Sequence, residues 1–279
     1  MQVLSTVREM SAACRAIRNA GQSLGLVPTM GALHDGHIAL VRAARAQCDA
    51  VAASIFVNPT QFGPNEDFTK YPRTFENDCA LLEREGVALV FAPQLEEMYP
   101  PGSSTFVEVE GVADRLDGRS RPGHFRGVAT VVAKLFHIAG PDKAFFGQKD
   151  AAQVAVLRRM VRDLHFDLEL VVCPTVREPD ELALSSRNRY LSAEERKRAL
   201  VLSTALNVIS ATYRAGQKSV APLLEAGRSV IATEPDVRID YLEIVDGETL
   251  LPLTEARSGA LVAVAAHVGS TRLIDNVIL

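Results

Sequence analysis

Apolar positions follow two alternating rhythms over the first two thirds of the chain: short unbroken runs of strand length, and longer stretches that repeat every three to four residues. The runs are Leu24-Gly-Leu-Val-Pro-Thr29, Val51-Ala-Ala-Ser-Ile-Phe-Val57, Val87-Ala-Leu-Val-Phe91, residues 143–146 and residues 168–172. Because they are apolar without alternation, they predict strands covered on both faces, as in a parallel sheet. The periodic stretches predict helices over residues 6–20, 38–47, 74–86, 128–139 and 150–165. Thr6 with Glu9 three positions later makes a capping box for the first helix, and Gly21 supplies its stop. A further short strand is expected over residues 105–109. This alternation predicts an α/β fold with a Rossmann-like open, mostly parallel sheet, whose ligand sits at the C-terminal ends of the strands.

The rhythm breaks over residues 174–190, where Pro174, Pro179 and several charges intervene. Beyond it, Ser192 and Glu195 form a second capping box opening a helix to about residue 215. A helix over residues 220–232 and strands over residues 239–245, 260–267 and 272–277 then predict a smaller, antiparallel α+β unit. The chain is therefore expected to form two domains, residues 1–175 and 176–279.

Composition narrows the possible partners. With 30 basic against 34 acidic residues, the net charge of -4 offers no general attraction to nucleic acid or an anionic membrane. No apolar run approaches the roughly 18 residues of a membrane span. Cys14, Cys48, Cys79 and Cys173 are scattered without a C-x-x-C pair, which argues against a zinc knuckle or disulfide framework and suits a reducing cytoplasm.

Chemistry concentrates in Val27-Pro-Thr-Met-Gly-Ala-Leu-His-Asp-Gly-His37. Two histidines three apart bracket a glycine at a strand-to-helix transition. Helix-terminal N–H groups favour an anion, Gly36 permits close backbone approach, and imidazole N–H donors can meet phosphoryl oxygens. A metal-ligand pair, or plain polar loop residues, would give the same spacing. No G-x-G-x-x-G follows the first strand and no G-x-x-x-x-G-K-[ST] occurs, so a dinucleotide fingerprint and a P-loop are both disfavoured. Arg119, Arg121, His124 and Arg126 cluster among glycines, as a functional loop or a solvated basic one.

The His34-Asp-Gly-His37 motif resembles the H-x-G-H nucleotidyltransferase superfamily. Phe56-Val-Asn-Pro-Thr-Gln-Phe62, Tyr71-Pro-Arg-Thr74, Arg121-Pro-Gly-His-Phe-Arg-Gly127, Phe146-Gly-Gln-Lys-Asp150, Leu184-Ser-Ser-Arg-Asn188 and Arg272-Leu-Ile-Asp-Asn276 together resemble the pantothenate synthetase (pantoate–beta-alanine ligase) family over nearly the whole chain. The resemblance implies a cytoplasmic, typically homodimeric ligase that joins pantoate to beta-alanine through a pantoyl adenylate, with ATP as substrate and Mg2+ as cofactor. It implies catalytic roles for His37, His34, Lys149 and Arg187. ATP would be held by Met30, Gly31, His34, His37, Gly147, Lys149, Asp150, Val176, Leu184, Ser185, Ser186 and Arg187. Pantoate and beta-alanine would meet Gln61, Gln153, Asn58, His124 and Arg121, and Asp78 would be the metal ligand. Asp150 with Gln153 would make a capping box, and the apolar 51–57 run would offer a dimer interface. Thr60, Gln148 and Ala152 depart from the family pattern, which bears on pocket packing rather than on the reaction. An enzyme that stops at nucleotidyl transfer, or a nucleotide-binding regulator, would share the H-x-G-H motif.

Overall fold

Residues 1–64 and 66–279 are described in a computed structural model. In chain order the N-terminal elements are β1 (Gln2–Leu4), α1 (Val7–Asn19), β2 (Leu24–Thr29), α2 (Asp35–Arg45), β3 (Ala50–Ile55), α3 (Phe75–Arg84), β4 (Leu89–Phe91), α4 (Leu95–Met98), α5 (Asp117–Ser120), α6 (His124–Ala139), β5 (Lys143–Gly147), α7 (Ala151–Asp163) and β6 (Glu169–Cys173). The six strands pair only in parallel, in the order β1-β4-β3-β2-β5-β6. From β2 the chain winds one way through β3 and β4, then returns to β5 and β6 on the other side. That reversal opens a crevice at the C-terminal ends of β2 and β5, where an α/β sheet binds its ligand.

Burial explains the strand composition. Val51, Ala52 and Ala53 of β3 are at most 2% exposed, between β2 and β4 in the sheet and between helices on its two faces. The first four residues of the 51–57 run are interior, whereas Ile55 and Val57 are half-buried. One sheet face packs on α1, α6 and α7, through residues such as Met10, Phe136 and Leu157. The other packs on α2 and α3, through Val41, Ala44 and Leu82.

The remainder forms α8 (Ala193–Arg214), α9 (Val220–Ile231) and the antiparallel sheet β7 (Val237–Val245), β8 (Leu261–Val268) and β9 (Thr271–Ile278). Strand β8 is buried on both sides. Val262, Val264, Ala266 and Val268 pack on α8 and α9, whereas Leu261, Ala263 and Ala265 join the core of the parallel-sheet unit. The period of two thus splits one strand between two cores and ties the two halves together. None of the described helices is long and apolar enough to cross a membrane.

Two expected elements differ. Residues 105–109 form no strand, because the Val107 N–H donates to the Thr130 hydroxyl (2.9 Å) instead of to a neighbouring strand. Helix α6 begins at His124, four residues earlier than expected, so the basic cluster is partly helical. Its Gly127 touches the turn Pro59–Gln61: a Cβ there would lie 2.3 Å from the Thr60 carbonyl oxygen and 2.7 Å from Gln61 Cα. Gly127→Ala is expected to destabilise the fold by about 1–3 kcal/mol, as overpacking against backbone does, and to lower the melting temperature accordingly.

Candidate active site

A cavity of about 1250 Å³ opens at the C-terminal ends of β2, β3, β5 and β6. The sheet contributes Thr29, Ser54 and Phe146. Helix α6 supplies an apolar wall of Val128, Val131, Val132 and Leu135. Of the residues expected to bind ATP, Met30, His34, His37, Gly147, Lys149, Asp150, Val176, Leu184, Ser185, Ser186 and Arg187 line it, together with Gln61, Gln153 and Asn58. Gly31 lies just behind this surface, its N–H bonded to the Thr29 hydroxyl at 3.2 Å.

Helix α2 starts earlier than its apolar periodicity indicates, because His34 is its N-cap. The Gly36 N–H donates to His34 Nδ1 (3.2 Å) and the His34 N–H to His37 Nδ1 (3.3 Å). A backbone N–H can only donate, so both Nδ1 atoms are acceptors and each neutral ring carries its proton on Nε2. A Cβ at Gly36 would meet His34 Cε1 at 2.9 Å, so this glycine makes room for its own capping histidine. Burial holds His34 down to about 4, with Lys149 acting in the same direction. Burial also holds His37 down to about 3, aided by His34, whose ring centroid is 4.1 Å away, and by Lys149. At neutral pH the pair therefore offers two N–H donors rather than two cations.

These shifts predict a pH dependence of stability. Burial holds the His124 imidazole down to about 4 as well. All three histidines fall below their ordinary 6.5, so on acidification the unfolded chain takes up protons that the folded chain refuses. Their contribution is complete above pH 6.5 and is lost as pH falls from there towards about 4 for His34 and His124 and about 3 for His37. The urea midpoint should decline between about pH 6.5 and 5, above the range where carboxylates titrate, and the decline should be shallower in a His34→Gln/His37→Gln double variant.

Lys149 closes the turn Gln148–Asp150 after β5, and its ammonium makes no ion pair or hydrogen bond with any described residue. Its backbone, by contrast, is fixed. Asn276 Nδ2 of β9 donates to the carbonyls of Gln148 (2.9 Å) and Lys149 (2.8 Å), while Gln148 Nε2 donates back to Asn276 Oδ1 (3.0 Å). Asp150 is the N-cap of α7 but makes no side-chain cap bond, so the expected capping box with Gln153 is not formed. Both side chains stay available to the cavity.

Ser185 caps the turn Ser186–Tyr190, its Oγ accepting from the Arg187 N–H (3.3 Å). The Leu184 N–H donates to the Val176 carbonyl (3.0 Å), drawing the 176–184 hairpin across the cavity. Arg187 does not point free. Its guanidinium forks onto Asp67 (3.0 and 2.8 Å), beside the Tyr71 ring. The preceding residue, Glu66, forks in the same way onto Arg121 (2.7 and 2.6 Å). Two adjacent acids thus clip two separate stretches of chain to one loop.

Three residues expected at the substrate bond to Gln61 or to its neighbours. His124 Nδ1 faces the Gln61 carbonyl (2.7 Å) and must donate to it, so Nε2 accepts from Arg121 Nη1 (3.0 Å). Both ring nitrogens are engaged, and neither His124 nor Arg121 lines the large cavity. Asn58, 1% exposed, gives Nδ2 to the Gly127 carbonyl and Gln61 Oε1, and accepts on Oδ1 from Tyr99 and Thr60 (both 2.9 Å). Thr60, a departure from the family pattern, belongs to this polar network. Ala152 is core, at 4% exposed.

Asp78 is turned inward. It is 1% exposed, its oxygens accept from the Ala32 and Leu33 N–H groups (both 2.9 Å), and Thr74 Oγ1 adds a third bond (3.1 Å). It anchors the loop between β2 and α2, with its carboxylate bonded to protein donors rather than free to meet a metal ion. Among the described residues no group of three His, Cys, Asp or Glu side chains is disposed to hold a metal ion.

Residues 2–278 match the family described as pantoate-beta-alanine ligase. The chain belongs to that family. It is 65% identical to the pantothenate synthetase of Acidobacterium capsulatum, over all of this chain and 97% of that protein, and 62% identical to that of Koribacter versatilis, over all of this chain and 96% of the relative. The crystal structure of pantothenate synthetase from Thermus thermophilus superposes with a TM-score of 0.95 at 52% identity, over all of this chain and 99% of that one. A pantoate-beta-alanine ligase from Francisella tularensis, solved in complex with beta-gamma ATP and beta-alanine, gives 0.80 at 33% identity, over all of this chain and 97% of that one. The sequence of this pantoate-beta-alanine ligase family member gave Asp67 no part in the site, and placed Asn276 in a motif without a role. Each meets its partner from more than 100 positions away, and the only local trace of Asp67 is a pair of acids between two family motifs.

Proposed function

We propose that the chain condenses (R)-pantoate with beta-alanine at the expense of ATP, through a pantoyl adenylate, releasing pyrophosphate and AMP. The observation that carries this reading is the meeting of one unpaired ammonium, Lys149, with two Nε2–H imidazoles in a cavity at the strand ends. In the first step a pantoate carboxylate oxygen attacks the α-phosphorus. The bond to the β-phosphate oxygen breaks, and pyrophosphate leaves with its electron pair. Such a step needs charge neutralisation and alignment more than a protein nucleophile. Lys149, Arg187, Ser185 and Ser186 face the phosphates, with His34 and His37 donating to their oxygens as charge grows. Met30, Gly31, Gly147, Asp150, Val176 and Leu184 form the remaining nucleotide surface.

Gln61 and Gln153 orient pantoate with neutral amides, which leave the carboxylate its nucleophilicity. Asn58, His124 and Arg121 hold Gln61 in place. In the second step the beta-alanine nitrogen attacks the acyl carbon, the acyl–oxygen bond breaks and AMP departs, the former ammonium giving up two protons overall. Magnesium bound together with ATP would add positive charge to that of Lys149 and Arg187, and Asp78, already bonded to protein, would not hold it. We take residues 1–175 and 176–279 as the two functional units. Strand β8 lies in a shared core, so closure over the adenylate falls to the 176–187 segment rather than to the whole C-terminal unit.

The test is a product assay with ATP, magnesium and pantoate, run with and without beta-alanine. Pantothenate with AMP only when both substrates are present is the expected result. Pyrophosphate with no amide under any condition would mean a nucleotidyltransferase, and ADP would overturn attack at the α-phosphorus.

A further inference from the structure

Behind the cavity, a run of side-chain bonds links the end of α4 to Gln61. It has one fixed point: the Gly127 carbonyl can only accept, so the Asn58 atom 3.1 Å from it is Nδ2 and the other amide atom is Oδ1. The second Nδ2 proton goes to Gln61 (3.2 Å), and the atom that receives it is Oε1. Gln61 Nε2 is therefore left to turn towards Met30 Sδ on the cavity wall. A thioether is a weak acceptor, which a carboxylate or hydroxyl oxygen displaces readily. Gln61 thus enters the cavity as a donor, its orientation set by Asn58.

The Asn58 amide is held in turn by what meets Oδ1. The Tyr99 and Thr60 hydroxyls both donate to it at 2.9 Å, and they lie 3.3 Å from each other. The two are unequal partners. Thr60 is exposed, so water can take the place of its hydroxyl. Tyr99 is half-buried just after α4, beside the Phe56 ring and under the Lys134 ammonium of α6, which lies 4.9 Å from its ring centroid. Lys134 also bonds the Met98 carbonyl, pinning the backbone from which the Tyr99 ring projects. Tyr99 is not among the described residues that line the cavity, so its hydroxyl reaches a ligand only through Asn58 and Gln61.

We propose that Tyr99 is a positioning residue for the acid substrate: its hydroxyl holds the Asn58 amide, which holds Gln61 with its NH2 group towards the acceptor oxygens of pantoate. The inference rests on the ligase reading, in which Gln61 orients pantoate, and adds to it a residue outside the site motifs.

The test compares Tyr99→Phe, Gln61→Ala and the double variant in pyrophosphate formation from ATP and pantoate. Phenylalanine keeps the ring and its packing and removes only the hydroxyl. Tyr99→Phe should raise KM for pantoate about three- to tenfold, the effect of one lost hydrogen bond, with kcat and KM for ATP within about twofold of the unsubstituted enzyme. A purely structural role would instead lower the folded fraction and hence kcat, leaving KM for pantoate where it is. Because Tyr99 acts through Gln61, adding Tyr99→Phe to Gln61→Ala should change kcat/KM for pantoate by no more than about twofold. A KM raised by Gln61→Ala but unmoved by Tyr99→Phe would overturn the proposal alone, as would a Tyr99→Phe effect that persists in full in the Gln61→Ala background. A Gln61→Ala variant with the KM of the unsubstituted enzyme would remove Gln61 from pantoate and the proposal with it. Failure of the unsubstituted enzyme to release pyrophosphate from ATP and pantoate would overturn the ligase reading itself.

Discussion

Lys149→Met is expected to slow pyrophosphate formation from ATP and pantoate about a hundred- to thousandfold, with stability changed by no more than about 0.5 kcal/mol. The activity loss follows from the position of the ammonium. It stands in the cavity without a carboxylate partner among the described residues, beside histidines held neutral, and so supplies net positive charge to a triphosphate. The small stability effect has the same cause, because removing an unpaired charge leaves no counter-charge orphaned. Arg187→Met is a poorer experiment, since it would strand Asp67 and mix destabilisation with catalysis. Lys149→Arg should not restore the rate, because a planar fork does not replace a compact point charge. If the interaction strengthens only as charge moves onto the leaving pyrophosphate, kcat and kcat/KM fall together with KM for ATP little altered. A second readout separates electrostatics from misfolding: Lys149 helps hold His34 and His37 below their ordinary value, so both should titrate at higher pH in the variant, by NMR.

Much of the scaffold was legible because each element carried its own signal. The continuous apolar runs at β2, β3, β4 and β5 identified interior strands, the run at β6 found a half-buried edge strand, and both Ser/Thr-x-x-Glu capping boxes formed as expected at α1 and α8. Elements without a local signal were lost. Strand β1 has three residues with two of them exposed, and it owes its existence to pairing with β4. The start of α2 was obscured because the capping group is an imidazole, outside the usual set of Ser, Thr, Asp and Asn. In the site, residue identity was legible and state was not. The H-x-G-H motif indicated donors for phosphate, but tautomer and neutrality come from hydrogen bonds and burial that spacing does not encode. Arg187 was recognisable, whereas its clip to Asp67 was not, since 120 positions separate them. Asn58, His124 and Arg121 were recognisable as motif residues, whereas their bonds to Gln61 were not, because motifs do not distinguish a side chain that touches substrate from one that holds its neighbour. Asp78 did leave a trace: it lies four residues before Leu82, on the buried face of α3, where a carboxylate needs buried donors.

Asp78→Ala should cost about 3–5 kcal/mol and depress turnover with it, the largest stability effect of any single side chain discussed. The substitution leaves the Ala32 and Leu33 N–H groups unpaired in a site that water does not reach. Ala32 sits at φ 52°, a left-handed conformation that a non-glycine residue adopts only under compulsion, and the Asp78 carboxylate supplies that compulsion. Without it the loop relaxes towards ordinary backbone angles, and the next residues along are His34, its cap on α2, and His37. Activity is therefore lost through displaced imidazoles, not through a missing ligand. Asp78→Asn discriminates between the two ideas. Its amide oxygen keeps one acceptor while its NH2 group confronts the other N–H, so the melting temperature should fall by an intermediate amount. The magnesium concentration giving half-maximal rate should stay where it is in the unsubstituted enzyme, because the ion rides on ATP. A magnesium requirement raised tenfold at unchanged melting temperature would return Asp78 to the metal and remove it from the loop.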